Sequence, residues 1–337
     1  IIPACETAEA EADGIMDFAA YEWAHLKAPD VGQQVRDSIK SICTRFGIAK
    51  GKIGIEENFE GIAPPLNLGE PSVPVRASRE LVMQALPGAK LEDATEFINS
   101  LRLCKTPAEV EKFRIANEIA GFGLAWFREN LRVGMTEIEL AAQVNSEIAI
   151  RGSGYKGMRS ARAFAQVSSG AGTERGWRPF EITTNRPFAK GDIVLLELGV
   201  VADGYWADNT RVLVAGGANQ KQREVYNVVL TAQLAAIERI RVGVKMSEVD
   251  QAARKIIEGA GYGEYFIHVT GHGVGWRYHE FPPLLHPSNE QLLREGMITS
   301  VEPGIYIPGF GGMRVEDNVA VGPKGADVLS TVSKEMN

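Results

Sequence analysis

The chain has 337 residues, of which 45% are hydrophobic, and it carries a formal net charge of −7 with a pI near 5.5. That length can bury a full core in one large domain or in two ordinary ones. The acidic balance, without any run of Lys or Arg, argues against nucleic acid or an anionic membrane as the main partner, so peptides or other small molecules are the expected ligands.

Cysteine usage and hydropathy indicate the compartment. Cys5, Cys43 and Cys104 are widely spaced and form no C-x-x-C pair, which is typical of free thiols in a reducing cytoplasm. The sequence contains neither a long apolar run nor a basic segment followed by an apolar one, so it predicts no membrane span and no secretory signal. The chain opens without a Met in what resembles the end of a strand, and we expect residues to precede it.

The first hundred residues alternate β-rich pieces with helix-like ones, such as those around Gln34–Phe46 and Ser78–Leu86. This alternation is typical of an α/β layer domain. The segment LRLCKTPAEVEKF then predicts a boundary, because Thr106 is a suitable N-cap and Pro107 suits the first helical position. A long helix to about Asn130 should follow.

Two later segments resemble each other, residues 131–155 and residues 240–262. Each has a helix ending at Arg-Val-Gly, a capping residue (Thr136 or Ser247), an amphipathic helix and a Gly-rich exit. Residues 106–325 are therefore interpreted as two related α+β halves, and a site is expected at the joint between them. The alternative is that pairs of helices around a glycine resemble each other by composition alone.

The stretch Gly191–Gly216 predicts a β-hairpin with a two-residue turn at Asp203-Gly204. In that register Glu197 faces Thr210, and Asp208 lies one diagonal step away on the same face, about 7–8 Å or less between Cβ atoms. Two acids among apolar neighbours are costly unless they are paired. A cation between the two carboxylates would remove that cost.

Further candidate ligands follow in the sequence. His268, His272 and His279 fall in the Gly-rich stretch HVTGHGVGWRYHEFPP, Glu302 follows an apolar strand, and Glu316 is predicted within an alternating strand. Each one alone could be a structural or solvent-facing residue. Together, four carboxylates and one imidazole suit two divalent ions such as Mn²⁺, Co²⁺, Fe²⁺ or Zn²⁺; the set is Glu197, Asp208, His272, Glu302 and Glu316.

These motifs, in this order, resemble those of the pita-bread metallopeptidases, the family of Xaa-Pro aminopeptidases, Xaa-Pro dipeptidases (prolidases) and methionine aminopeptidases. The resemblance implies an α+β fold: a duplicated pita-bread catalytic domain over residues 105–337, preceded by part of a creatinase-like N-terminal α/β domain over residues 1–104. It also implies a homodimer.

The resemblance implies a role for each motif residue. Asp208 and Glu316 would bridge two ions, Mn²⁺ being the first candidate; Glu197 would complete one site, and His272 with Glu302 the other. A hydroxide between the ions would attack an Xaa-Pro bond at the N-terminus of a peptide or in a dipeptide. Glu302 would serve as general base, His279 would hydrogen-bond the carbonyl oxygen, and His268 would position the residue after the scissile bond. Arg314 would orient Glu316 and nearby acids; alternatively, it neutralises Asp317.

Two departures from the family leave alternatives open. The family usually has Asp at the position of Glu197. Relatives also carry a His in the loop before the hairpin, where this chain offers Trp177, Arg178 and Phe180, which either wall a prolyl pocket or belong to the core. A metal-independent hydrolase similar to creatinase or ectoine hydrolase is the second hypothesis, and a non-catalytic binding module on the same fold is the third. The sequence does not separate aminopeptidase from dipeptidase action.

Overall fold

The computed structural model describes residues 1–12, 14–22, 30–57, 76–178 and 182–337, which divide into two units between Ile98 and Asn99. Among these described residues, no helix combines the length and apolar character needed to cross a membrane.

The first unit alternates short strands and helices. In chain order these are β1 (Ile2–Pro3), α1 (Thr7–Ala12), β2 (Ala20–Tyr21), α2 (Val31–Arg45), β3 (Gly51–Ile55), α3 (Arg76–Ala85), β4 (Ala89–Asp93) and α4 (Thr95–Leu103), the last of which crosses the division. β1 pairs with β2 and β3 with β4, both in parallel. Both predicted helices are present as α2 and α3, whereas β4 was not predicted. α2 begins after Asp30, whose carboxylate accepts the Gln33 N–H at 3.2 Å.

Over its described residues, the second unit contains four long helices and three sheets. Its elements are α5 (Pro107–Asn130), α6 (Glu137–Gly152), β5 (Ala161–Ser169), β6 (Ile193–Ala202), β7 (Tyr205–Val214), α7 (Gln220–Arg239), α8 (Met246–Gly259), β8 (Gly271–Gly273), β9 (Glu280–Leu285), β10 (Ile298–Val301), β11 (Gly304–Ile307), β12 (Gly311–Arg314), β13 (Asp317–Gly322) and β14 (Gly325–Val328). The sheets have the orders β5-β6-β7, β14-β13-β10-β8-β9 and β11-β12.

The helices follow the predicted duplication. α5 has the predicted bounds, and both α5 and α6 begin with capping boxes, at Thr106 and Thr136. α7 and α8 repeat this helix pair. The capping role predicted for Ser247 is wrong, because α8 has Lys245 at its N-cap and Ser247 lies within the first turn of the helix. The Ser247 hydroxyl instead donates to the Glu290 carboxylate at 3.1 Å.

Three apolar clusters of described residues stabilise the second unit. The first packs α5 and α6 on the β5–β7 sheet, and the second packs α7 and α8 on the strands that follow them. A third, smaller cluster joins Val201 and Trp206 of the hairpin to Val274, Tyr278 and Ile298 of the later half. The hairpin face that carries the two acids therefore meets the second sheet at the joint between the halves.

Candidate active site

The hairpin has the register that its turn predicts. Asp203 and Gly204 have φ angles of 47° and 86°, the left-handed conformation that a two-residue type I′ turn requires at both positions. Glu197 pairs with Thr210 and Gly199 pairs with Asp208, so both carboxylates lie on the same face of β6 and β7. A register shift of one residue would have placed them on opposite faces.

The second half supplies the other candidate ligands. His272 lies in β8, and Glu302 follows β10 directly. The placement of Glu316 inside a strand is wrong, because Glu316 lies in the break between β12 and β13. β12 pairs with β11 whereas β13 pairs with β10, so the chain must leave one sheet and enter another at this point.

All five predicted ligands converge. Together with His279, they form three overlapping groups, and within each group the ligand atoms lie within 4.8 Å of one another: Asp208 with His272 and His279, His272 with Glu302 and Glu316, and Glu197 with Asp208 and Glu316. His272 Nε2 lies 3.5 Å from Asp208 Oδ2 and 3.3 Å from Glu302 Oε1. Its Nδ1–H donates to the Gly273 carbonyl at 2.9 Å, which orients Nε2 towards the carboxylates.

Three carboxylate oxygens at the centre of this cluster accept no hydrogen bond from the described residues. Asp208 and Glu316 are buried, and both Asp208 oxygens and Glu316 Oε1 accept no hydrogen bond within the part of the chain that the structure describes. Burial, together with repulsion from neighbouring carboxylates, raises the pKa of both groups well above its usual range. Divalent cations would supply the missing contacts, so this set of oxygen and imidazole donors fits a metal centre.

Glu197 differs from Asp208 because protein donors hold both of its carboxylate oxygens. Tyr278 donates to Oε1 at 2.6 Å, and Arg314 Nη2 donates to Oε2 at 2.6 Å. The Thr210 hydroxyl is in close contact with the same Oε2 and lies 2.7 Å from Glu316 Oε2. Although burial opposes ionisation, Arg314 and these hydrogen bonds lower the pKa of Glu197 to about 2.

Arg314 contacts two of the acids near Glu316, since it donates to Glu197 and its Nε lies 3.7 Å from Glu302 Oε2. It reaches Glu316 only through Thr210, whose hydroxyl accepts from Arg314 Nε at 2.9 Å. The alternative partner, Asp317, is held instead by Arg211 at 2.7 Å and by close contact with Lys334. Arg314 also donates to the Gly176 carbonyl at 2.6 Å, directly before Trp177.

The two remaining imidazoles are neutral. His268 Nδ1–H donates to the Val269 carbonyl at 2.7 Å, so Nε2 accepts from the Tyr306 hydroxyl at 3.0 Å. Burial and then Arg314 lower the pKa of His268 to about 3. Burial and then His272, whose ring centroid lies 4.2 Å away, hold the pKa of His279 well below its usual range.

An open cleft of about 310 Å³ leads to the cluster. Trp177 is 42% exposed and lines this cleft, so it is not a core residue, whereas Phe180 lies outside the described residues. The other lining residues away from the cluster are Arg178, Val269, Phe281, Leu284 and His286.

His286, Tyr278 and Tyr306 were not predicted as site residues. For Tyr278, its position directly before His279 was a local signal.

Comparisons with known proteins agree with this geometry. Residues 111–323 match the model of metallopeptidase family M24. The chain is 38% identical over 257 residues to the putative dipeptidase YkvY of Bacillus subtilis, covering 76% of this chain and 68% of that protein. It is 39% identical over 245 residues to an Xaa-Pro dipeptidase of Lactobacillus delbrueckii, covering 73% and 64%. The chain thus spans about two thirds of the length of these curated relatives.

Solved structures give the same result. An X-Pro aminopeptidase from Thermotoga maritima superposes with a TM-score of 0.82 at 26% identity, covering 99% of this chain and 86% of that one. A prolidase from Pyrococcus furiosus has a TM-score of 0.74 at 30% identity, covering 98% and 86%. The α+β pita-bread fold implied by the motifs is confirmed. The chain belongs to metallopeptidase family M24.

Proposed function

We propose that this protein is a dinuclear metal-dependent peptidase that cleaves Xaa-Pro bonds at the N-terminus of peptides or in dipeptides. The observation that carries the proposal is the buried acid cluster, in which Asp208 and Glu316 present unpartnered oxygens towards His272 and Glu302. The similarity to proteins named Xaa-Pro dipeptidase supports the substrate class.

Two divalent ions fit the overlapping groups. Glu197, Asp208 and Glu316 would hold one ion, and Asp208, His272, Glu302 and Glu316 the other, with Mn²⁺ as the first candidate and Co²⁺, Zn²⁺ or Fe²⁺ as alternatives. When bound, such ions polarise a carbonyl and lower the pKa of water.

The protein side chains supply proton transfer and orientation. Glu302, whose pKa is raised by burial, would take the proton of the attacking water and pass it to the leaving nitrogen. The neutral His279 would donate a hydrogen bond to the scissile carbonyl oxygen as negative charge develops there. His268, oriented by Tyr306, would contact the residue after the scissile bond. Arg314 keeps Glu197 ionised and in place.

The cleft suits a small peptide with an apolar residue. Trp177, Val269, Phe281 and Leu284 provide apolar surface of the kind a prolyl ring needs. Its volume of about 310 Å³ is in the range of small-ligand sites, which are roughly 300–1,000 Å³.

A peptide panel tests the proposal. X-Pro, X-Pro-Y and X-Ala-Y would be incubated with protein loaded with Mn²⁺, Co²⁺ or Zn²⁺, and with Glu302→Ala as the control. Cleavage of X-Pro alone marks a dipeptidase, and cleavage of X-Pro-Y marks an aminopeptidase. Hydrolysis that persists after chelation, together with full activity of Glu302→Ala, would contradict the proposal and favour a metal-independent hydrolase of the creatinase type.

We also propose a cytoplasmic homodimer. The described cysteines, Cys5, Cys43 and Cys104, are free thiols, which suits a reducing compartment. Light scattering on the purified protein gives the oligomeric state directly, and a monomer mass would contradict the dimer.

A further inference from the structure

A buried ion pair lies behind the segment that carries His279. Lys105 Nζ lies 2.9 Å from Glu280 Oε2, with the Lys105 side chain fully buried and that of Glu280 12% exposed. Two charges removed from water are tolerated only when further contacts hold them in good geometry. Both members of this pair have such contacts.

Lys105 is fixed from several sides. Its backbone N–H donates to the Gly296 carbonyl at 2.8 Å. Its ammonium lies 5.9 Å from the ring centroid of Phe113 and 5.6 Å from that of Trp276, a favourable cation–π arrangement. These contacts and its complete burial restrain the position of the ammonium group.

Glu280 stabilises the turn that precedes it. Its Oε1 accepts a hydrogen bond from the Trp276 backbone N–H at 2.8 Å, while its Oε2 accepts one from Lys105 Nζ. The carboxylate lies so close to Gly275 that a Cβ on that residue would be 2.1 Å from Oε2, so any larger residue would require the Glu280 carboxylate to move. The Gly275 carbonyl accepts a hydrogen bond from the Trp206 backbone N–H at 3.0 Å, which connects this turn to the β6–β7 hairpin.

We propose that Lys105 is a positioning residue that sets the place of His279. Lys105 holds the Glu280 carboxylate inside the turn 275–280, and His279 is the residue directly before Glu280. The pair thereby keeps the His279 ring beside His272 and above the cluster, where the centroid distance is 4.2 Å. This inference rests on the proposed function of His279, and it extends the catalytic machinery to a residue at the start of the second unit.

The test uses Mn²⁺-loaded full chain and four proteins: wild type, Lys105→Met, the double variant Lys105→Met/Glu280→Gln, and Lys156→Met as control. Lys156 forms an ion pair with Glu118 at 2.6 Å on the surface. Lys105→Met should lower kcat on an Xaa-Pro dipeptide by about 10- to 100-fold with KM and Mn²⁺ content unchanged, because misplacing a catalytic group by about 1 Å costs rate more than binding. The control should retain wild-type kinetics.

The double variant separates positioning from stability. Without the uncompensated carboxylate it should regain thermal stability, while kcat stays low because the link from residue 105 to the turn is gone. Recovery of kcat together with stability would overturn the proposal, as would loss of Mn²⁺ from Lys105→Met or a kcat near that of wild type.

Amide hydrogen exchange gives a readout that does not need activity. Lys105→Met should accelerate exchange at Trp276 and its neighbours in the turn relative to α6, and unchanged exchange would refute the proposal. Inactivity of the wild type on every Xaa-Pro substrate would instead refute the proposed function, and the exchange result would still decide the positioning role.

Discussion

Replacing Asp208 by Asn should stabilise the metal-free protein while removing its response to metal. Asp208 is 1% exposed and neither of its oxygens accepts a hydrogen bond in the described part of the chain. Burial and repulsion from Glu197 and Glu302 raise its pKa, so the carboxyl group destabilises the fold when no cation is present. Asn removes the charge from this buried position.

The size of the effect follows from the cost of an unpartnered polar group. Mutational data place that cost at about 1–3 kcal/mol, so we expect the chelated variant to gain about 1–2 kcal/mol. For a unit of this size that gain is a rise in Tm of about 2–8 °C. Mn²⁺ at a hundred times its Kd should stabilise the wild type by about 2.7 kcal/mol and the variant far less. The variant should therefore have the higher Tm in chelator, and the wild type the higher Tm in Mn²⁺.

Asp317→Asn is the matched control, since it makes the same substitution at an equally buried carboxylate. Asp317 pairs with Arg211 at 2.7 Å and with Lys334, and it accepts from Gln233 at 2.8 Å. Breaking a buried pair leaves uncompensated charge, so this variant should lose about 3–5 kcal/mol with or without metal. Thermal unfolding in chelator and in Mn²⁺ measures the stability changes of both variants, Asp208→Asn and Asp317→Asn. If Asp208→Asn is destabilised in chelator and still shifts with Mn²⁺, the electrostatic reasoning is refuted.

Three further predictions concern the same site. The gain of Asp208→Asn should shrink as pH falls towards 3.8, because a carboxyl with a raised folded pKa costs stability only above that unfolded value; a gain independent of pH would argue against the raised pKa. Arg314→Met should lower the free energy of unfolding in urea by about 3–5 kcal/mol, since it leaves the Glu197 charge buried and unpaired, and a loss below 1 kcal/mol would contradict the ion pair. Trp177→Ala should raise KM for Xaa-Pro dipeptides about 10-fold at nearly constant kcat in steady-state assays, and an unchanged KM would exclude contact with substrate.

Features determined by neighbouring residues could be predicted from the sequence. The Asp203-Gly204 turn fixes the hairpin register locally, so the pairing of Glu197 with Thr210 followed from the sequence alone. The same holds for α5, whose start is encoded by Thr106 and Pro107. The candidate metal ligands were predicted from residue type and from their order along the chain, and the structure brings these residues together.

Features that depend on distant parts of the chain could not be predicted. The strand break at Glu316 arises because β12 and β13 belong to different sheets, which no local pattern encodes. The partners of Glu197 come from Tyr278 and Arg314, residues far away in the sequence. Ser247 was misassigned because an acceptor 43 residues away, Glu290, competes for its hydroxyl.

Calorimetric titration of chelator-treated protein with Mn²⁺, followed at each step by an Xaa-Pro hydrolysis assay, tests whether the acid cluster is a dinuclear catalytic centre. A dinuclear centre predicts two ions per chain in the wild type, activity that appears only as ions bind, and neither binding at full stoichiometry nor activity in Asp208→Asn. Absence of binding heat in the wild type, or Xaa-Pro cleavage by the metal-free protein, would contradict it.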